Sequence, residues 1–405
     1  MCGIIGYTGG KQAAPILLEG LEKLEYRGYD SAGIAVNTGD DISVVKAMGR
    51  LAVLKEKTND GKDICGTVGL GHTRWATHGK PSDENSHPHV SENGRVAIVH
   101  NGIIENYMAL KEMLIHRGRT FVSETDTEVA AQLIDYYYKG DILEAVARAV
   151  RELKGSYALG IMCADDPDTL IAVKSRAPLI VAYGEEGNYF ASDVMAFLSH
   201  TNKVSYMDDG EIAVVKKDSV SFYTSFLDKV EKRVETVDWD ISAADKGGYE
   251  HYMFKEIVEQ PEAVRRTILP HIVDGKVDLD SVLSREFVRT MNRIYIVACG
   301  SSYHVGVIAK YNIEKLARIP VEVVLASEFR YYDPIVDENT LVILISQSGE
   351  TADTLEALRE AKRLGARTLS IVNVEGSSIA KASHSVIYTK AGPEIAVATT
   401  KAYST

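Results

Sequence analysis

In the first half of the chain, apolar and polar positions alternate over short stretches: AGIAVNTG, GRVAIVHNGI, SYALGIM and EIAVVKK. A period of two predicts half-buried β-strands. Among them lie AAPILLEGLEKLEY and DTEVAAQLIDYYYKG, whose apolar residues recur three and four apart and predict amphipathic helices. Strands arrive in bunches, so antiparallel sheets with packed helices fit better than strict β–α–β alternation. From about Val237 the pattern breaks at VDWDISAADKGGYEHYM, a polar, glycine-containing stretch ahead of an amphipathic helix starting near Tyr252. Beyond it, continuous apolar strands run into Gly/Ser turns and then helices, as in RIYIVACGSSYHVGVIAKYNIEKLA and TLVILISQSGETADTLEALREAKRLG. That texture predicts a parallel sheet covered on both faces. The expected organisation is a first domain over 2–238, a linker over 239–252 and a second domain over 253–405.

The 405 residues suffice for two or three domains, and 45% hydrophobic with 25% charged residues is a globular composition. No apolar run reaches the roughly 20 residues that span a bilayer, and the N-terminus lacks a secretory signal pattern, so a cytoplasmic protein without membrane association is expected. Cys2, Cys65, Cys163 and Cys299 show no CxxC spacing, which indicates neither a disulfide framework nor a cysteine zinc site. A net charge of −12 without a basic cluster disfavours nucleic acid. A small anion can still bind locally at a helix N-terminus.

The opening MCGIIGYTGG raises a chemical question. With Met1 removed, Cys2 carries a thiol and a free α-amine, a nucleophile and a base on one residue. The α-amine, with a reference pKa near 8, can take the thiol proton near neutral pH. Acyl transfer also needs donors for an oxyanion, and VHNGIIEN offers the Asn101 side chain with the Gly102 N–H. Taken alone, Asn-Gly reads as a turn dipeptide. Its company changes that reading: Arg74 in HTRWATHG can clamp a carboxylate, and Asp126 in SETDTEV can pair with an ammonium. Together they suit a free α-amino acid. His72, His78, His87, His89 and His100 crowd the same region, but no metal-ligand spacing accompanies them, and hydrogen bonding around the pocket is the expected role.

MCGIIGY, LEYRGYDSAGIA, HTRWATHG, HNGIIEN and SETDTE, in this order, resemble the glutaminase domain of the glucosamine-6-phosphate synthase family. The resemblance implies an N-terminal-nucleophile α/β/β/α sandwich in which Cys2 attacks the glutamine side-chain amide and forms a γ-glutamyl thioester. It implies an oxyanion hole of Asn101 and Gly102, Arg74 on the glutamine carboxylate, Asp126 and Gly102 on its amine, Thr77 and His78 lining the site, and Trp75 gating an ammonia channel.

LVILISQSGETADT runs from a strand through Ser346, Gln347, Ser348, Gly349 and Thr351 into a helix. A capping box explains part of this; the surplus of hydroxyls suits a phosphate at a helix start. Walker and GxGxxG motifs are missing, which disfavours ATP and dinucleotides. VACGSSYH repeats the design with Ser301 and Ser302. Both resemble the sugar-isomerase (SIS) domain, a doubly wound α/β fold, which implies sugar-phosphate contacts from Ser302, Ser346, Gln347, Ser348 and Thr351. GPEIAVATTKAYST adds Val397 and Thr399 by the same resemblance, with Thr399 where the family commonly has serine. The whole resemblance implies glutamine and fructose 6-phosphate as substrates, no cofactor, and a homodimer through the complete SIS part. Rival readings are another glutamine amidotransferase and a sugar-phosphate-sensing binding protein. Because the family continues through a second SIS half that carries the glutamate, histidine and lysine of isomerisation, the ending TTKAYST is expected to be a truncation. It reads as the opening of a helix, and the missing half is expected to leave apolar surface exposed.

Overall fold

The computed structural model of the chain describes residues 2–39, 41–76, 79–237, 246–396 and 398–405. Thr77, His78, Val397 and residues 239–245 of the expected linker lie outside them. The chain divides into two compact units, Met1–Ile241 and Ser242–Thr405.

The first unit begins with β1 (Gly3–Gly9), α1 (Ala13–Leu24), β2 (Ser31–Asn37), β3 (Ile42–Met48), α2 (Leu51–Lys57), β4 (Val68–Arg74), β5 (His89–Val90), β6 (Val96–Ile104), α3 (Tyr107–His116), α4 (Asp126–Tyr137) and α5 (Ile142–Val150). It continues with β7 (Gly155–Cys163), β8 (Asp166–Ser175), β9 (Ile180–Tyr183), β10 (Gly187–Ala191), β11 (Lys203–Tyr206), β12 (Glu211–Lys216), β13 (Ser219–Thr224), β14 (Lys229–Val230) and β15 (Glu235–Thr236). One sheet has the order β15-β11-β9-β10-β1-β4-β2-β3 and the other β14-β13-β12-β8-β7-β6-β5. Neighbouring strands around the centre run antiparallel, as in β1 with β4 and β6 with β7.

The two-residue period sorts side chains between layers. Ile5 and Tyr7 pack with Leu17, Leu21 and Leu24 of α1, whereas Ile4, the residue before them on the opposite face of the strand, joins Ala97, Val99 and Ala158 of the second sheet. Strand β6 does the same in mirror sense: Val96, Ile98 and Ile104 join Val129, Leu133 and Val146 of α4 and α5. The layers are therefore helix, sheet, sheet, helix. Both faces of β1, β2 and β4 are covered and every residue in them is buried, each large apolar side chain contributing about 1.5–3 kcal/mol relative to exposure.

The second unit holds α6 (Tyr252–Ile268), β16 (Ile272–Val273), β17 (Lys276–Val277), α7 (Arg285–Thr290), β18 (Arg293–Ala298), α8 (Gly300–Ala317), β19 (Val321–Leu325), α9 (Ala326–Phe329), β20 (Thr340–Ser346), α10 (Ala352–Arg363), β21 (Arg367–Val372), α11 (Ser378–Ala382) and β22 (Ser385–Tyr388). Its main sheet is parallel with the order β19-β18-β20-β21-β22. The chain leaves β18 for one edge and returns on the other side at β20, so the order reverses between them. Ala298 and Ile345 stand opposite each other at the carboxyl ends of these two strands. Open α/β sheets bind ligands at such a crevice. Val297, Val342 and Leu344 pack against Leu355 and Leu358 of α10, while Ile294, Ile296 and Leu341 fill the other face. Ile308, Tyr311 and Leu316 on α8 are exposed. Residues 401–405 close a single turn in which the Thr405 N–H donates to Lys401 O at 3.1 Å. Among the described residues no helix is long and apolar enough to cross a membrane.

Candidate active site

Cys2 immediately precedes β1, and the buried run behind it fixes where its side chain emerges. The Trp75 N–H donates to Cys2 Sγ at 3.3 Å, and the thiol lies 3.5 Å from Trp75 O. Burial pushes the Cys2 thiol above its ordinary pKa, opposed by the bond from Trp75. A thiol held in that state needs a neighbouring base before it can attack.

Asn101 and Gly102 sit inside β6, opposite Ala158 and Tyr157 of β7. They do not form the turn that the dipeptide alone suggests, because nine residues of β6 are held in one ladder with β7. Asn101 Nδ2 donates to Cys2 O at 3.0 Å. Gly102 has φ +114°, and a Cβ there would meet Ser156 O at 2.0 Å, so glycine alone fits this approach.

Helix α4 starts where it does because Thr125 caps it, accepting from the Glu128 N–H at 3.4 Å. The Glu128 carboxylate returns to accept from the Val122 and Ser123 N–H groups at 2.9 and 2.6 Å. This places Asp126 in the first turn, buried, with Oδ2 accepting from the Ile104 N–H at 2.8 Å and Oδ1 3.9 Å from His100 Nδ1. Arg74 ends β4, is buried, and donates from Nη2 to Gly79 O at 3.0 Å. Trp75 is exposed and meets Tyr29 edge-on at 5.1 Å. Asp30 accepts from the Ala76 N–H and so holds the segment after Trp75.

Behind these groups lie His72, His87, His89 and His100, all buried. His72 and His87 overlap with ring centroids 4.1 Å apart. Thr127 Oγ1 lies 2.8 Å from His87 Nε2 and 2.9 Å from His100 Nδ1, and Thr125 Oγ1 lies 3.0 Å from His89 Nε2. Burial holds His72 down at about 3 and His87 and His89 well below the usual imidazole range. These three are neutral near pH 7. Among the described residues no group of three or more His, Cys, Asp or Glu is arranged to hold a metal ion.

In the second unit the candidates gather at the carboxyl ends of β18 and β20. Ser301 and Ser302 occupy the first turn of α8, and Ser301 Oγ donates to Thr399 Oγ1 at 3.0 Å. Ser346 Oγ is 3.0 Å from Thr351 Oγ1 and accepts from the Gly349 N–H at 3.1 Å; Ser348 Oγ accepts from the Glu350 N–H at 3.1 Å. Thr351 is the N-cap position of α10, yet its side chain makes no cap bond. The hydroxyls therefore shape a loop ahead of the helix instead of closing its end. Gly349, at φ +67°, lies where a Cβ would meet Ser377 Oγ at 2.0 Å. Gln347 adds a carbonyl that accepts from the Asn373 N–H at 3.2 Å.

One part of this region escaped the sequence reading. Glu256 of α6 is buried and accepts from the Ile395 and Ala396 N–H groups at 2.6 and 2.9 Å and from Thr400 Oγ1 at 2.6 Å. Buried Lys401 pairs with Glu259 at 2.7 Å. These bonds fix the segment around Thr399. The only trace in the sequence is a pair of acids three apart in α6, which also describes an ordinary solvated helix face.

A SIS-domain family model matches residues 288–405, and a glutamine amidotransferase domain model matches residues 59–253. Over its full length the chain is 57% identical to a glutamine–fructose-6-phosphate aminotransferase (isomerizing) of Caldanaerobacter subterraneus subsp. tengcongensis, spanning 67% of that relative. The chain belongs to the glutamine–fructose-6-phosphate aminotransferase family. A relative of the same name from Clostridium tetani is 55% identical, again over the whole chain and 67% of the relative. Among solved structures, the glutamine phosphoribosylpyrophosphate amidotransferase of B. subtilis aligns with TM-score 0.51 at 19% identity, covering 92% of this chain and 81% of that one. That likeness is one of fold. Membership of the aminotransferase family accounts for the presence of an N-terminal-nucleophile amidotransferase unit and a SIS unit in one chain.

Proposed function

We propose that the protein serves the conversion of fructose 6-phosphate to glucosamine 6-phosphate with ammonia from glutamine hydrolysed at Cys2, these 405 residues carrying the glutaminase chemistry and part of the sugar-phosphate site. The observation that carries the reading is the meeting of Cys2, Trp75 and Asn101, with Gly102 beside them in β6 and Asp126 tied to the same strand. With Met1 removed, the α-amine of Cys2 accepts the thiol proton. Sγ then bonds to the glutamine amide carbon, the oxyanion is stabilised by Asn101 Nδ2 and the Gly102 N–H, and the C–N bond breaks as ammonia departs with the proton. Water cleaves the thioester and releases glutamate. Arg74 takes the α-carboxylate and Asp126, with Gly102, the amine; Trp75, Thr77 and His78 complete the pocket.

Ser302, Ser346, Gln347, Ser348 and Thr351 bind the sugar phosphate at the reversal point of the parallel sheet, with Thr399 and Val397 on the sugar. The hydroxyls and backbone N–H groups suit an anion and require no metal. Loss of water between ammonia and the open-chain ketone, then proton movement between the first two carbons, yields the amino sugar. We assign thioester formation, oxyanion stabilisation and phosphate binding to residues of this chain, and no residue of it to the proton abstraction beside the carbonyl. Supplying glutamine and fructose 6-phosphate to the 405-residue chain, with glutamate and glucosamine 6-phosphate measured separately, tests this division. Glutamate without amino sugar is expected; stoichiometric glucosamine 6-phosphate would place the missing base within these residues.

A further inference from the structure

The buried histidines have no part in the chemistry above, yet one of them touches it. His72 Nε2 lies 2.9 Å from His100 O and 3.1 Å from Asn101 Oδ1. A carbonyl oxygen and an amide oxygen are both acceptors, so Nε2 must carry the proton and donate. His72 is fully buried, and its neutral form leaves Nδ1 bare, with no hydrogen-bond partner among the described residues. The tautomer is thus set by two oxygens.

We propose that His72 is a positioning residue for glutamine hydrolysis, its Nε2–H locking the Asn101 amide with Oδ1 inward and Nδ2 toward the Cys2 end of the site. A flipped amide would set NH2 against Nε2–H and oxygen against Cys2 O, two repulsive contacts in place of two bonds. Of the two hydrogens on Nδ2, one is engaged by Cys2 O at 3.0 Å and the other is left for an oxyanion. An unlocked amide would present oxygen to a developing negative charge for part of the time. Burial is the main force that keeps this ring neutral; His100 and Arg74 act in the same direction, and together they outweigh the hydrogen bonds to His100 O and Asn101, while the His87 ring lies over it at 4.1 Å. The inference rests on the assignment of Asn101 as an oxyanion donor.

The test uses steady-state glutaminase kinetics of the 405-residue chain. His72→Leu deletes the donor and should lower kcat by roughly 10- to 100-fold, less than or equal to the loss of the oxyanion donor itself, with KM for glutamine within about twofold. His72→Gln, which can place an N–H near the same point, should recover most of the activity. In the Asn101→Ala background, His72→Leu should cost nothing further, because there is no amide left to orient. Multiplying losses in the double variant, or a raised KM with kcat unchanged, would overturn the positioning role. Should His72→Leu not fold, histidine-selective 15N spectra of the wild type decide instead. A neutral Nε2–H ring from pH 5 to 8 is expected, and an Nδ1–H or titrating ring overturns the inference. If Asn101→Ala alone leaves kcat unchanged, the oxyanion assignment fails and takes this inference with it; if Asn101→Ala slows turnover and His72→Leu does not, only the inference falls.

Discussion

Cys2 stands one residue from the chain start and Asn101 nearly a hundred residues away, and β1 and β6 bring them within one hydrogen bond. At this scale the account predicts that Cys2→Ala abolishes glutamate release while leaving the fold intact, since the residue lies outside the main clusters of the core. Asn101→Ala should lower glutaminase turnover by roughly 10²–10³ with glutamine binding largely preserved. A loss confined to KM would contradict the oxyanion role. Gly102→Ala should fail differently: a Cβ at φ +114° and 2.0 Å from Ser156 O forces β6 away from β7, costing about 2 kcal/mol or more of stability. Denaturant titration checks it, and an unchanged midpoint would contradict the close packing. Cys2 could be singled out in the sequence as the candidate nucleophile because chemistry at an N-terminus depends on position alone. The sequence left the setting of Asn-Gly ambiguous, since a turn and a distorted strand use the same two residues for the same freedom of φ.

The elements themselves were readable where burial enforces a period. Alternation in GRVAIVHNGI and SYALGIM became the paired strands β6 and β7, and the apolar runs RIYIVA and TLVILIS became the neighbouring parallel strands β18 and β20. Polar groups buried for structural reasons were harder to read, because hydrogen-bond partners far apart in sequence leave no local pattern. Glu256 and its bonds to residues 395, 396 and 400 are the clearest case. The loop between β20 and α10 lies between these extremes: its hydroxyls were visible in the sequence, but a helix cap and an anion site use the same residue types. The missing cap bond at Thr351 favours the anion. Ser348→Ala should therefore weaken fructose 6-phosphate binding by roughly tenfold, the usual scale for one hydrogen bond to a charged group, with unphosphorylated fructose bound poorly by both forms. Calorimetric titration of the two proteins gives the comparison, and equal affinities would remove Ser348 from the site.

For the molecule as a whole, the buried histidine cluster couples stability to pH. His72, His87 and His89 have depressed folded-state pKa values, His72 at about 3, against about 6.5 unfolded. Between those limits the unfolded chain binds more protons than the folded one. Stability is thus fully present above about pH 6.5 and declines as pH falls below it, each histidine contributing about 1.4 kcal/mol per pH unit at most. Denaturant midpoints measured for the unfolding of the first unit should drop steeply between pH 6.5 and 4.5, and a flat profile would show that these rings are not held neutral.

The central claim is that Cys2 is the nucleophile for glutamine, and labelling with a glutamine-shaped electrophile reads it most directly. Cys65 is exposed, Cys163 buried and Cys2 and Cys299 in between, so accessibility alone would direct a reagent to Cys65. After treatment of the 405-residue chain with a diazoketone analogue of glutamine, peptide mass spectrometry should find one adduct, on Cys2 of molecules that have lost Met1, and excess glutamine should prevent it. An adduct on Cys65 in preference to Cys2, or labelling of Cys2 that glutamine does not slow, would contradict the account.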